Sequence, residues 1–255
     1  MAKELQIVDT HAHLCDRIFD PDRDEVIRRA QEAGVESIII VSEKLEDARR
    51  NIMLAKKYPC LKPAAGLYPE YANIKETDRT IEFIRDQQRS FYAVGEVGLD
   101  FWIAKKDAVK EMQREVFRQF IQLAGELDLP LNVHSRSAGR HAVAMLLENG
   151  AVRVQMHAFD GKAAAALPAV EAGFFFSVPP SVIRSRQKQK LLKHLPLSCL
   201  LVESDSPVLG PDPEQRNEPA NILTSVKVIA EIKDISYQEV FEAVCENTSK
   251  LYGDM

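Results

Sequence analysis

The chain has 255 residues, 45% of them hydrophobic and 28% charged, which suits one large domain with a real core. A net charge of −5 argues against holding nucleic acid through a general basic surface, and leaves such a substrate open only where metal ions meet the phosphates. The four cysteines (Cys15, Cys60, Cys199, Cys245) form no C-x-x-C pair, and neither a secretory leader nor a membrane span of roughly 18 apolar residues is visible, so a disulfide-free cytoplasmic protein is expected.

The first apolar run, 5–9, leads into Asp9-Thr10-His11-Ala12-His13. Alternate residues of an extended chain point the same way, so His11 and His13 can offer two imidazoles to one ion. A helix is expected over 22–33, a buried strand over 35–41 and a second helix over 46–57. The third strand, 62–66, ends at Gly66-Leu67-Tyr68-Pro69 and is followed by a helix over 77–88. The fourth, 91–96, delivers Glu96 in Gly95-Glu96-Val97-Gly98-Leu99-Asp100, before a long helix over 106–128. Strand five, 131–134, ends at His134 and strand six, 152–157, at His157, with helices expected over 138–148 and 162–172. Strand seven, 173–178, contains Phe174, Phe175 and Phe176, which read as a buried strand and not as a base-stacking platform. A basic helix over 184–194 precedes strand eight, 198–203, which runs into Glu203-Ser204-Asp205. Helices over 220–232 and 236–251 close the series, the last with a Ser236/Glu239 capping box.

Eight strand–helix repeats with no linker or low-complexity tract predict an α/β fold, a single-domain TIM-type (β/α)₈ barrel spanning 1–255. The alternative, a doubly wound open sheet, lacks its usual G-x-G-x-x-G after the first strand, and no P-loop is present. In a barrel the active site forms where the strands end. Four of the six histidines fall at those ends, while His141 and His194 fall in expected helices, with solvated or capping roles. Four imidazoles and two carboxylates converging on one pocket would leave unsatisfied lone pairs unless cations filled the space. Scattered core histidines bonded to backbone are the bland alternative. Six ligands exceed the needs of one tetrahedral zinc and suggest two divalent ions bridged by a carboxylate. Zinc, manganese or cobalt suit the donors, magnesium less well.

The ordered set VDTHAHL at 8–14, GEVGLD at 95–100, NVHSR at 132–136, MHAFDG at 156–161, ESDSP at 203–207 and RNEP at 216–219 resembles the TatD family of metal-dependent DNases, within the amidohydrolase-like barrel superfamily. The resemblance spans nearly the whole chain. It implies His11, His13 and Asp205 as ligands of one metal, His134 and His157 as ligands of the other, and Glu96 as the bridge. Strand four carries no lysine at its mouth, where many amidohydrolase relatives have a carboxylated one. The family's G-x-H-P after strand three is replaced here by Gly66-Leu67-Tyr68-Pro69, with Tyr68 a candidate substrate contact through a hydrogen-bond donor that does not titrate near neutrality, and a packing role at the rim as its alternative.

The implied activity is phosphodiester hydrolysis in DNA by a metal-activated water, with Asp205 and Glu96 catalytic. Arg136 suits bidentate phosphate contact, against a structural pair with Glu203 or Asp100. Asn217 is a weaker substrate contact, balanced by a turn-forming role. The basic 184–193 stretch either guides a strand or is a solvated face; Glu203 is expected to orient a ligand or water, and Cys15 to be buried. A binuclear hydrolase of small amides, lactones or phosphoesters is the competing reading, and a silent binding protein the third. Nothing fixes the oligomeric state, and a monomer is compatible.

Overall fold

A computed structural model describes residues 7–253. Its eight strands are β1 (Ile7–Ala12), β2 (Val35–Ile40), β3 (Leu61–Ala65), β4 (Ala93–Gly98), β5 (Leu131–His134), β6 (Val154–Met156), β7 (Phe175–Val178) and β8 (Leu200–Val202). Each pairs in parallel with the next in chain order. Between and after them run α1 (Arg23–Glu32), α2 (Leu45–Lys57), α3 (Ile74–Asp86), α4 (Asp107–Leu127), α5 (Gly139–Glu148), α6 (Ala163–Glu171), α7 (Arg186–Leu192), α8 (Ile222–Lys233) and α9 (Tyr237–Tyr252). This is the expected barrel, nearly closed. All the strands and helices read from the sequence are found.

The borders differ in instructive places. Residues 5 and 6 of the first expected strand lie outside the described residues, and β1 continues to Ala12, so His11 sits within the strand. The sixth strand starts late because Val152 is 76% exposed and cannot belong to a buried run. The seventh helix starts late because residues 180–183 form a tight 3₁₀ turn and Ser185 caps α7 through the Lys188 N–H. In α9 the Ser236/Glu239 capping box forms as read.

Apolar packing falls into two layers. Between sheet and helices lies the larger core, in which Phe117 and Phe120 of α4 are wholly buried. Each such side chain contributes roughly 2–3 kcal/mol. Inside the barrel sits a smaller cluster of Val8, Ile39, Val41, Ala64, Ala93 and Leu201, met by Leu251 and Tyr252 from the end of α9. The Tyr252 hydroxyl donates to Gln155 Oε1 at 2.5 Å, and Asn132 Nδ2 lies 3.4 Å from that hydroxyl. Gln155 Nε2 in turn donates to Ser177 Oγ at 2.8 Å, and Asn132 Nδ2 to the Thr10 carbonyl at 3.0 Å. A polar layer therefore rests on the apolar plug.

The seam between β8 and β1 is stitched beyond the strands. The Asp205 N–H donates to the His11 carbonyl and the His13 N–H to the Ser206 carbonyl, both at 2.8 Å. Buried Asp9 adds a third tie, its Oδ1 accepting the Ser204 N–H at 2.8 Å. Close strand approach is just as tight at β4. Gly98 has φ of 142°, and a Cβ there would lie 2.0 Å from the His134 carbonyl oxygen. At Gly95 a Cβ would lie 2.6 Å from that of Asn132. Both glycines set the β4–β5 spacing that brings Glu96 beside His134. Gly98→Ala is expected to cost on the order of 3 kcal/mol, from backbone strain plus the clash, and to lower the urea midpoint with little change in slope.

Candidate metal centre

Every strand-end residue singled out as a ligand reaches one cavity of about 470 Å³ at the barrel mouth, or lies directly beneath it. His13, Glu96, His134, His157 and Asp205 line it together with Tyr68 and Arg136. His11 is fully buried below them.

The imidazoles are aimed from behind. His11 Nδ1 donates to Asn132 Oδ1 at 2.7 Å, a direction set by the Asn132 amide, whose nitrogen already donates to Thr10. His157 Nδ1 donates to Glu203 Oε2 at 2.9 Å. Both rings therefore present Nε2 to the cavity. Glu203 is itself fixed by the Ser177 hydroxyl at 2.6 Å and the Ala158 N–H at 2.9 Å. Glu203 thus holds the His157 ring in one orientation.

The two carboxylates divide their oxygens. Glu96 Oε2 faces His11 Nε2 at 3.7 Å and His13 Nε2 at 3.5 Å. Its Oε1 faces His134 Nδ1 at 2.7 Å and His157 Nε2 at 3.8 Å. Asp205 Oδ1 lies 3.5 Å from both His11 and His13, and Oδ2 lies 3.8 Å from His157. Donor atoms of His11, His13 and Asp205 fall within 4.8 Å of one another, as do those of His11, Glu96 and His157. His134 stands outside both sets, with Nδ1 against Glu96 and Nε2 against Asp100.

These atoms fit a cation better than they fit each other. His134 Nδ1 is buried 2.7 Å from Glu96 Oε1 in a geometry that makes no hydrogen bond, which leaves both atoms available to a cation. His11 and His13 place their Nε2 atoms 3.2 Å apart, and the His11 ring stacks on His157 with centroids 3.6 Å apart. Such crowding of lone pairs is costly unless positive charge lies between them.

Proton affinities show the same field. For His13, burial opposes the charge, but the Asp205 hydrogen bond and the Glu96 carboxylate outweigh it and push the pKa to about 9. His134 also rises to about 9, where Glu96 and Asp100 overcome burial. His11 falls to about 4, through burial and the neighbouring His157. Glu96 and Asp205 are held below the ordinary carboxylate range because the surrounding imidazoles overcome burial. Asp205 also sits in the left-handed region with φ of 54°, held by its bond to His11, and such strain of about 1–3 kcal/mol is concentrated at working sites.

The remaining expectations resolve unevenly. Tyr68 is no mere rim packer: its hydroxyl donates to Asp100 Oδ2 at 3.1 Å and its ring meets His134 edge-on at 4.9 Å. Arg136 is exposed at the cavity and forms no ion pair with Glu203 or Asp100 among the described residues. Asn217 does not reach the cavity. It is buried, with Nδ2 donating to the Ser204 and Val208 carbonyls and Oδ1 accepting from Asn221, so its contacts support the turn-forming role. From the basic stretch Gln187 and Lys188 reach the cavity, Lys188 donating to the Ala158 carbonyl at 2.7 Å. Cys15, Phe174 and Phe176 are buried, and all four cysteines are free. His141 and His194 lie away from the cavity.

Residues not singled out as working parts include Asn132, Asp100, Glu43 and Trp102. For Asn132 a signal existed: it precedes His134 by two, so strand alternation places both on the inner face. Asp100 carries no such periodic mark. It lies beyond β4, where Oδ2 meets His134 Nε2 at 3.1 Å.

Comparison with known proteins places this geometry among relatives. A family model described as TatD related DNase matches residues 8–253. A human protein named Deoxyribonuclease TATDN3 is 45% identical over 263 residues, covering 98% of this chain and 96% of its own. An uncharacterized metal-dependent hydrolase of Bacillus subtilis, YabD, is 34% identical, covering 96% of this chain and 98% of its own. The crystal structure of the Escherichia coli TatD homolog YjjV superposes with a TM-score of 0.90 at 27% identity, covering 98% of this chain and 99% of that one.

Two outcomes are expected. Because His13 and His134 hold protons up to about pH 9, metal binding must displace them. Affinity for Zn²⁺ or Mn²⁺ therefore rises as pH climbs toward 9, with proton release measurable by calorimetry in buffers of different ionisation enthalpy. Glu203→Gln weakens the hold on His157, and lowers metal affinity by about 10- to 100-fold while leaving the circular dichroism unchanged.

Proposed function

The chain belongs to the TatD related DNase family, and from that premise we propose that it is a metal-dependent deoxyribonuclease that hydrolyses phosphodiester bonds in DNA. The observation that carries the reading is the division of Glu96, whose Oε2 faces His11 and His13 while Oε1 faces His134 and His157. It supports a pair of divalent ions, with His11, His13 and Asp205 holding one, His134 and His157 the other, and Glu96 shared. Zinc, manganese, cobalt and magnesium are the candidates. Divalent ions held there would make hydroxide available from water near neutral pH and would neutralise the phosphoryl oxygens.

The protein's own groups do the positioning. Asp205, strained and only 6% exposed, orients the attacking water and takes its proton. Asn132 and Glu203 keep the His11 and His157 rings facing the cavity. Tyr68 holds Asp100 against His134. Arg136 offers its planar fork to a phosphate at the rim. The free cysteines fit a reducing compartment such as the cytoplasm, and no helix of the described residues is long and apolar enough to cross a membrane.

A cavity of about 470 Å³ also suits a small substrate, so hydrolysis of small amides, lactones or phosphoesters stays the second reading. An EDTA-controlled assay on end-labelled single- and double-stranded DNA, with ester and amide substrates alongside, separates the two. Cleavage of the small substrates with DNA untouched overturns the nuclease reading. Asp205→Asn should lower turnover by about 10²- to 10⁴-fold, with melting temperature nearly unchanged because asparagine tolerates the left-handed backbone. Near-normal turnover would remove Asp205 from its role.

A further inference from the structure

Trp102 is the only tryptophan of the chain, and it is 53% exposed. Tryptophan normally buries a large area, so leaving half of this one in water needs a reason other than the core. Its backbone is not loose. Asp100 Oδ1 accepts the Trp102 N–H at 2.8 Å and the Ile103 N–H at 3.0 Å, while Oδ2 meets His134 Nε2 at 3.1 Å. One carboxylate therefore ties the indole-bearing turn to a candidate metal ligand.

Cations frame the ring. The Arg136 guanidinium carbon lies 3.9 Å from its centroid and Lys105 Nζ 5.7 Å. Arg136 also lines the cavity of His134 and His157, so the pair spans from the mouth to the outer surface. Lys105, Arg136 and Arg140 have no ion pair among the described residues, whereas Lys110 and Arg114 are engaged by Asp107 and Glu111. Although the chain is acidic, this sector of the rim is basic. Burial, then the positive charge of Arg114, Arg140 and Lys110, lowers the His141 pKa beside it.

An exposed indole on a fixed turn, flanked by unpaired cations and opening onto a phosphodiester-hydrolysing site, matches a nucleotide and not a protein side chain. Every base offers a π-face, and its flanking phosphate suits a guanidinium fork. We propose that Trp102 and Arg136 form a nucleotide subsite at the cavity mouth, where an unpaired base of the DNA strand stacks on Trp102 and its adjoining phosphate is held by Arg136. This rests on the nuclease reading above and assigns the strand a path across the β4–α4 and β5–α5 loops.

Because Trp102 is the lone indole, its fluorescence reports on this subsite alone. The full chain is titrated with a short single-stranded DNA in EDTA, which prevents cleavage, and in parallel with inorganic polyphosphate, which has phosphates without bases. DNA should quench the emission strongly and polyphosphate should not. By anisotropy of a labelled strand, Trp102→Ala should weaken DNA binding about tenfold and leave competition by polyphosphate unchanged. Trp102→Phe should restore DNA binding to within about twofold, since phenyl also stacks. Arg136→Ala should weaken both ligands. Circular dichroism checks that each variant is folded.

Binding of DNA without a change in emission, or equal DNA affinity in Trp102→Ala and the parent, overturns the subsite. If the metal-supplemented parent still cleaves DNA in that case, the nuclease reading survives alone. If the parent neither binds nor cleaves DNA, both fall.

Discussion

An imidazole has two nitrogens, and a metal site works only if the ring commits one of them elsewhere. That commitment governs this barrel. His11 gives its Nδ1 proton to Asn132 and His157 gives its own to Glu203, leaving both Nε2 atoms turned to the cavity. The acceptors are held in turn by Thr10, Ser177 and Ala158. Below them Gln155 and Tyr252 complete a buried polar layer that is satisfied internally, so the barrel can carry it without water.

Above that layer, electrostatics and strain act together. Glu96 and Asp205 remain charged in a buried setting because imidazoles surround them, and His13 and His134 among these hold protons that a cation would displace. The backbone supports this arrangement at a conformational cost, with Asp205 at φ 54° and Ala158 at φ 40°, each directly beside or within the donor set. Asp100 extends the order outward, linking His134 and Tyr68 to the turn that carries Trp102.

The architecture is legible in the sequence because each buried strand reads as a short apolar run and each helix as an amphipathic one, a contrast repeated eight times. The ligands are legible because histidines and carboxylates gathered at strand ends add nothing to an apolar core and are costly to bury without a cation. What escapes is set by contacts distant in sequence. Asn217 looks like a loop residue near phosphate, yet its amide is consumed by the Ser204 and Val208 carbonyls, which only the folded loop brings together. Arg136 looks ready for a carboxylate partner, and its neighbour is instead an indole 34 positions earlier in the chain. The division of the imidazoles into two sets is implied by resemblance, while the geometry also brings His11 against His157, a closeness no spacing rule announces.

The seam between the first and last strands carries one more consequence. His11 and His13 leave the ribosome early, whereas Asp205, whose N–H closes onto the His11 carbonyl, comes some 190 residues later. During that interval an H-x-H pair on an unfinished sheet is exposed to whatever free metal the surroundings contain. Imidazoles accept several divalent transition ions, so the identity of the first ion to arrive would be a matter of supply as much as of ligand geometry.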